Sequence, residues 1–119
     1  MLTALIVDDE APSREELKAL LTSAPDIEIV GECANAIEGL SAVHRLRPDV
    51  LFLDINMPAM NGFEVLQQLR SVHPNLHVIM ISASSTLENV RTAAKFGVNG
   101  FVVKPFTPDK VLNSLKSIK

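Results

Sequence analysis

Three runs of four apolar residues, Ala4–Val7, Val50–Leu53 and Val78–Ile81, constrain this chain more than any other feature. Each is too short for a helix and too evenly apolar for a strand with one wet face, so each reads as a strand buried on both sides. Each also stops at a polar residue: Asp8, Asp54 and Ser82. Between the runs, apolar residues recur at helical spacing. Thr3–Val7 is a first strand. A helix follows from about Pro12, with proline in its first turn, Glu15 and Glu16 near its positive end, and Leu17, Leu20 and Leu21 inward. Ile27–Cys33 alternates, with Ile27 and Ile29 against Glu28, as an edge strand does. Ala36–Arg47 is helical and ends before Pro48, since a residue preceding proline disfavours the helical conformation.

After the strand Val50–Leu53, a turn with Pro58, Asn61 and Gly62 leads to a helix with Leu66 and Leu69 toward the core. His77–Ile81 is the fourth strand, followed by a helix over Leu87, Val90 and Ala94 that stops at Gly97. Phe101–Val103 is a short fifth strand, and Pro108–Ile118 a last helix with Leu112, Leu115 and Ile118 at helical spacing. Five strictly alternating units, (βα)5, predict an α/β fold: a doubly wound parallel five-stranded sheet with helices on both faces. In such sheets ligands bind beyond the carboxyl ends of the strands, where the strand order reverses.

The length of 119 residues fits one domain over 1–119, able to bury roughly 65% of its unfolded surface. A mean hydropathy of +0.23 agrees with strands covered on both faces. No apolar stretch is long enough to span a bilayer, and no signal-peptide pattern opens the chain, so the expectation is a cytoplasmic protein without a membrane segment. Cys33 is the only cysteine, which excludes an internal disulfide framework and fits a reducing compartment. It reads as a small buried apolar residue. A net charge of −3, with neither Trp nor Tyr, argues against a nucleic-acid surface within this chain. His44, His73 and His77 are scattered over different elements and read as surface residues rather than metal ligands; Met57, Met60 and Phe106 read as loop packing.

Four strands deliver polar groups to one rim: Asp8, Asp9 and Glu10 after the first, Asp54 and Asn56 after the third, Ser82 at the fourth, Lys104 at the fifth. Taken singly each has a bland reading, as a helix-capping charge run, a turn former or a surface lysine. Together they form an acidic cluster that is unfavourable in a partly dry cleft unless a cation joins it or pKa values rise, and hard oxygen ligands suit Mg²⁺. A carboxylate, a divalent cation, an ammonium and a hydroxyl suit phosphoryl transfer, which needs positioned positive charge, and a carboxylate can carry the group as an aspartyl phosphate.

On these residues the chain resembles a response-regulator receiver domain of two-component signalling. The matching pieces are Leu5-Ile6-Val7-Asp8-Asp9-Glu10, the run from Asp54 through Asn56 and Pro58 to Gly62, Ser82-Ala83, and Phe101 through Lys104-Pro105-Phe106. The resemblance implies the flavodoxin-like strand order 2-1-3-4-5 known from the chemotaxis receiver. It also implies that Asp54 is the phospho-acceptor and that Asp9, Asp54 and the backbone carbonyl of Asn56 hold Mg²⁺, with Asp8 acting through metal-bound water. Lys104 would pair with the phosphate, Ser82 and Phe101 would be the switch pair, and Ala83 would leave room for the phosphoryl group. Pro105 would follow a cis bond. Ser82 stands where threonine is commoner and Phe101 where tyrosine is. The implied partners are a sensor histidine kinase or histidine phosphotransfer protein and a downstream output domain or protein, with the chain a monomer or a phosphorylation-linked homodimer. The stretch from Val30 through Pro58 also resembles receivers that precede LytTR-type DNA-binding domains.

The expected role is a signalling module, not an enzyme acting on a separate substrate. A haloacid-dehalogenase-like phosphatase would want an acid two residues after its nucleophile, where this chain has Asn56. A dinucleotide site would want glycines in the first turn, and there are none. A receiver that signals without phosphate would not need the acidic set and Lys104.

Overall fold

The structure, a computed structural model, describes residues 1–24, 26–83, 86–116 and 118. Among them the order is β1 (Leu2–Val7), α1 (Ala11–Thr22), β2 (Ile27–Cys33), α2 (Ala36–Leu46), β3 (Val50–Asp54), α3 (Gly62–Val72), β4 (His77–Ser82), α4 (Leu87–Lys95), β5 (Gly100–Val103) and α5 (Pro108–Lys116). All strands are parallel, in the order β2-β1-β3-β4-β5. Because strand side chains alternate, the central strands divide their apolar residues between two layers. Ala4, Ile6, Val50, Phe52, Ile79 and Ile81 pack with Leu17 and Leu21 of α1 and Val111 of α5. Leu5, Val7, Leu51, Leu53, Val78 and Met80 pack with α2, α3 and Ala93 of α4. The helices therefore cover both faces, α1 and α5 on one side and α2 to α4 on the other.

Local chemistry sets the helix starts. Asn35 accepts from the Glu38 amide at 2.9 Å, and Thr86 from the Asn89 amide at 3.2 Å. Asn61 and Glu64 form a reciprocal capping box at the head of α3. Gly62 opens that helix for a spatial reason: a Cβ there would stand 2.4 Å from the Asp54 carbonyl oxygen.

Some sequence-based placements shift. The helix α1 starts at Ala11, so Glu15 and Glu16 lie beyond its first turn. Leu20 is half-buried, as are Leu112 and Leu115, while Val111 is the fully buried residue of α5. On α4, Val90 is 39% exposed and Ala94 faces solvent, and Ala93 turns inward instead. The side chain of Leu87 lies outside the described residues. The alternation in β2 is broken by a bulge: Ala4 pairs with Ile29 but Leu5 with Gly31. Ile27 and Ile29 consequently join the α1 side and Cys33 the α2 side, since one extra residue reverses the faces of a strand.

Candidate functional site

The order β2-β1-β3 means that the chain leaves β1 toward one edge and β3 toward the other, so the loops after these two strands diverge and open a crevice. Asp8 follows β1 and Asp54 ends β3, at neighbouring points of the ladder because Val7 pairs with Leu53. Both carboxylates are almost fully buried, 1% and 2% exposed. The ladder continues past the strand ends: the Ile55 amide donates to the Ile81 carbonyl at 3.0 Å, and the Lys104 amide to the Ser82 carbonyl at 2.8 Å. That last bond fixes where β5 delivers its lysine.

The Lys104 ammonium stands 2.7 Å from Glu10, 3.0 Å from Asp8 and 3.5 Å from Asp54. Asp8 accepts from the Glu10 amide at 2.9 Å, and Asp54 from the Asn56 amide at 3.3 Å. One carboxylate oxygen from each of Asp8, Asp9, Glu10 and Asp54 lies within 4.8 Å of the other three. A cleft of about 290 Å³ opens over them, lined by Asp9, Glu10, Asp54, Asn56, Ala83 and Lys104.

Burial and then the Asp8 charge push the Asp54 carboxyl up to about 7, against the downward pull of Lys104. Burial would lower the Lys104 ammonium, but Glu10, Asp8 and Asp54 outweigh it and hold it above its ordinary value. Glu10, hydrogen-bonded to that ammonium, is held below the usual carboxylate range. Two buried carboxylates and two exposed ones share this cluster with one ammonium, which touches Asp8, Glu10 and Asp54 but not Asp9, so negative charge is left uncompensated. Hard oxygen donors converging in this way can hold a metal ion.

Comparison with known proteins settles the family. The response regulator receiver domain model matches residues 4–116. The chain belongs to the response-regulator receiver family. Members of that family are phosphorylated on an aspartate. The receiver is 39% identical over 113 residues to the nitrate/nitrite response regulator NarL of Escherichia coli, covering 95% of this chain and 52% of NarL. It is 59% identical over 73 residues to the transcriptional regulatory protein BtsR of Salmonella typhi, covering 61% of this chain and 30% of BtsR. The chain thus spans about half the length of NarL and less of BtsR. Among solved structures it superposes with a TM-score of 0.91 and 32% identity on a CheX–CheY–BeF3–Mg complex from Borrelia burgdorferi, over 98% of this chain and 88% of that one. The observed strand order is the one that the resemblance implied.

The receiver brings the sequence-selected residues Asp8, Asp9, Asp54, Asn56 and Lys104 to one rim. Ser82 is fully buried at the end of β4, and Ala83 lines the cleft. Phe101 is half-buried on β5, in register with Met80 and packed against the α2–α4 layer. The Lys104–Pro105 bond is cis. Met57 and Phe106 pack as loop anchors, 8% and 7% exposed.

Two expectations need correction or extension. His44 and His73 do lie on different elements, but they meet in space: His44 Nδ1 near the end of α2 and His73 Nε2 at the C-cap of α3 lie 2.9 Å apart. Sequence reasoning also passed over Arg14, whose guanidinium donates to the Asp8 carbonyl at 2.7 Å and pairs with Glu32 at 2.9 Å. Its position four residues after Glu10, one helical turn on, is the signal that a long cation could reach back to the acidic loop.

Proposed function

We propose that this receiver takes a phosphoryl group from a phosphohistidine on a sensor kinase or phosphotransfer protein onto Asp54. The observation that carries the reading is the buried Asp54 carboxylate at the cleft floor, 3.5 Å from the Lys104 ammonium and clustered with three further carboxylates. A carboxylate oxygen of Asp54 attacks phosphorus, the P–N bond breaks, and the imidazole nitrogen keeps the electron pair. Lys104 then neutralises an oxygen of the new acyl phosphate.

The donor set fits Mg²⁺. Asp9, Asp54 and the Asn56 carbonyl would hold it, with Asp8 reaching it through water. When bound, Mg²⁺ supplies positive charge to the transferring oxygens and favours the ionised carboxylate. The Borrelia complex, similar over nearly the whole chain, carries BeF3 and Mg. The small Ala83 leaves the cleft mouth open beside Asp54. Ser82 would turn its hydroxyl to the phosphoryl group, and Phe101 would move into the space released, altering the surface of α4, β5 and α5. An output domain or protein would read that surface. The chemistry would be confined to gaining and losing its own phosphoryl group.

Incubation with acetyl phosphate and Mg²⁺, followed by intact mass, tests this. One adduct is expected, absent from Asp54→Ala and cleaved by alkaline hydroxylamine as acyl phosphates are. An adduct that survives in Asp54→Ala places the phosphate elsewhere.

A further inference from the structure

The carboxylate nearest to Lys104 belongs to Glu10, not to either buried aspartate. Nζ to Oε1 is 2.7 Å, against 3.0 Å to Asp8 and 3.5 Å to Asp54. The Glu10 side chain is 60% exposed and the Lys104 side chain 12%, so this ion pair lies where the lysine meets solvent, and both residues line the cleft. Glu10 is the N-cap residue of α1, yet its side chain accepts no capping bond from a backbone amide of that helix; the Ser13 hydroxyl also reaches it, with less effect than Lys104. The backbone beneath it is pinned separately: its amide donates to Asp8, its carbonyl accepts from the Arg14 amide at 3.1 Å, and Arg14 also grips the Asp8 carbonyl. A fixed backbone with its carboxylate directed at the lysine behaves as a latch.

We propose that Glu10 is a positioning residue that holds Lys104 away from the phosphoryl position, so that phosphorylation of Asp54 requires exchange of the Glu10 contact for a phosphoryl oxygen. This rests on the phospho-acceptor reading above and goes beyond it, because it assigns the residue against which the phosphoryl group competes. An ammonium has three N–H donors, and here three carboxylates surround it. The new phosphoryl oxygens need one of those donors. The exposed glutamate contact is the one that can open without leaving a buried charge unpaired, which would be far more costly. Glu10 thereby lowers both the rate of phosphoryl uptake and the affinity for a phosphoryl mimic.

Two variants separate contact from charge. Glu10→Gln keeps the reach and removes the charge; Glu10→Asp keeps the charge and falls short by one methylene. Phosphorylation by acetyl phosphate at saturating Mg²⁺ and beryllofluoride titration are measured for both and for the parent, with thermal melts to confirm the fold. Both variants should take phosphate faster and bind beryllofluoride more tightly, by about two- to fivefold, the range for one partly exposed ion pair. A gain in Glu10→Gln without one in Glu10→Asp makes the effect a general field of charge and overturns the latch. Unchanged or slower uptake in Glu10→Gln also overturns it. A parent that takes no phosphate at all overturns the phospho-acceptor reading, and the latch with it.

Discussion

Ala59 sits in the loop between β3 and α3 with a φ of 69°, where a side chain is disfavoured, and the Met60 amide closes a tight turn onto the Pro58 carbonyl at 2.8 Å. Glycine adopts this conformation freely, although it loses more chain entropy on folding. Ala59→Gly should stabilise the protein by about 0.5–1 kcal/mol in urea unfolding, the strain relieved less the entropy cost. Gly62 presents the opposite case, since its missing Cβ leaves room for the Asp54 carbonyl. Gly62→Ala should destabilise by about 1–3 kcal/mol, as overpacking does, and should disturb the amide shifts of Asp54 and Ile55 first. Asp54 itself couples stability to pH. Its carboxyl is raised from 3.8 to about 7 on folding, so in Mg²⁺-free buffer the folded state holds the proton more tightly than the unfolded chain. That stabilisation is full below pH 4 and is lost as pH rises through 7. Asp54→Asn should flatten this slope and be the more stable protein above pH 7, by about 1–2 kcal/mol once screening by water in the open cleft is allowed for.

Between elements, Arg70 joins three segments. From α3 its guanidinium donates to the carbonyls of Phe96 and Gly97, just past α4, and to that of Leu76, just before β4. A planar fork with five N–H donors reaches three carbonyls at once, which an ammonium on a flexible stem does poorly. Arg70→Lys should therefore cost about 1–3 kcal/mol and speed amide exchange at Phe96 and Gly97, while leaving Asp54 shifts unchanged. Should exchange there match the parent, the clamp contributes nothing to the end of α4. The bulge in β2 works at the same scale. By inserting Val30 between paired residues it lets one edge strand feed both layers, so that Cys33 packs with α2 although Ile29 faces α1.

For the whole molecule, the site joins the two halves of the sheet. The crevice lies between the loops of β1 and β3, and Lys104 crosses to it from the far edge strand. Mg²⁺ held there, as proposed, would stabilise only the folded form, because the unfolded chain does not gather these carboxylates. At a hundredfold excess over its dissociation constant it should add about 2.7 kcal/mol, seen as a rise in melting temperature. Because the metal takes the ionised carboxylate, its affinity should fall as pH drops below about 7, and its binding should abolish the pH slope of stability. A melting temperature that does not respond to Mg²⁺ at pH 8 would count against a metal site at this cluster.

Much of this was legible in the residues. The doubly wound sheet follows from apolar runs of strand length alternating with helical spacing, because covering both faces of a parallel sheet demands that pattern. The position of Asp8, Asp54, Ser82 and Lys104 just past those runs follows as well, since strand ends and switch points are local consequences of sequence order. Other features depended on contacts between distant segments. The face that α4 buries at Ala93, the bulge opposite Leu5, the meeting of His44 with His73 and the grip of Glu10 on Lys104 each join segments whose relative position no local pattern encodes. Periodicity specifies which residues leave water. Which partner each of them meets is decided by packing all the elements at once, and that only the tertiary structure decides.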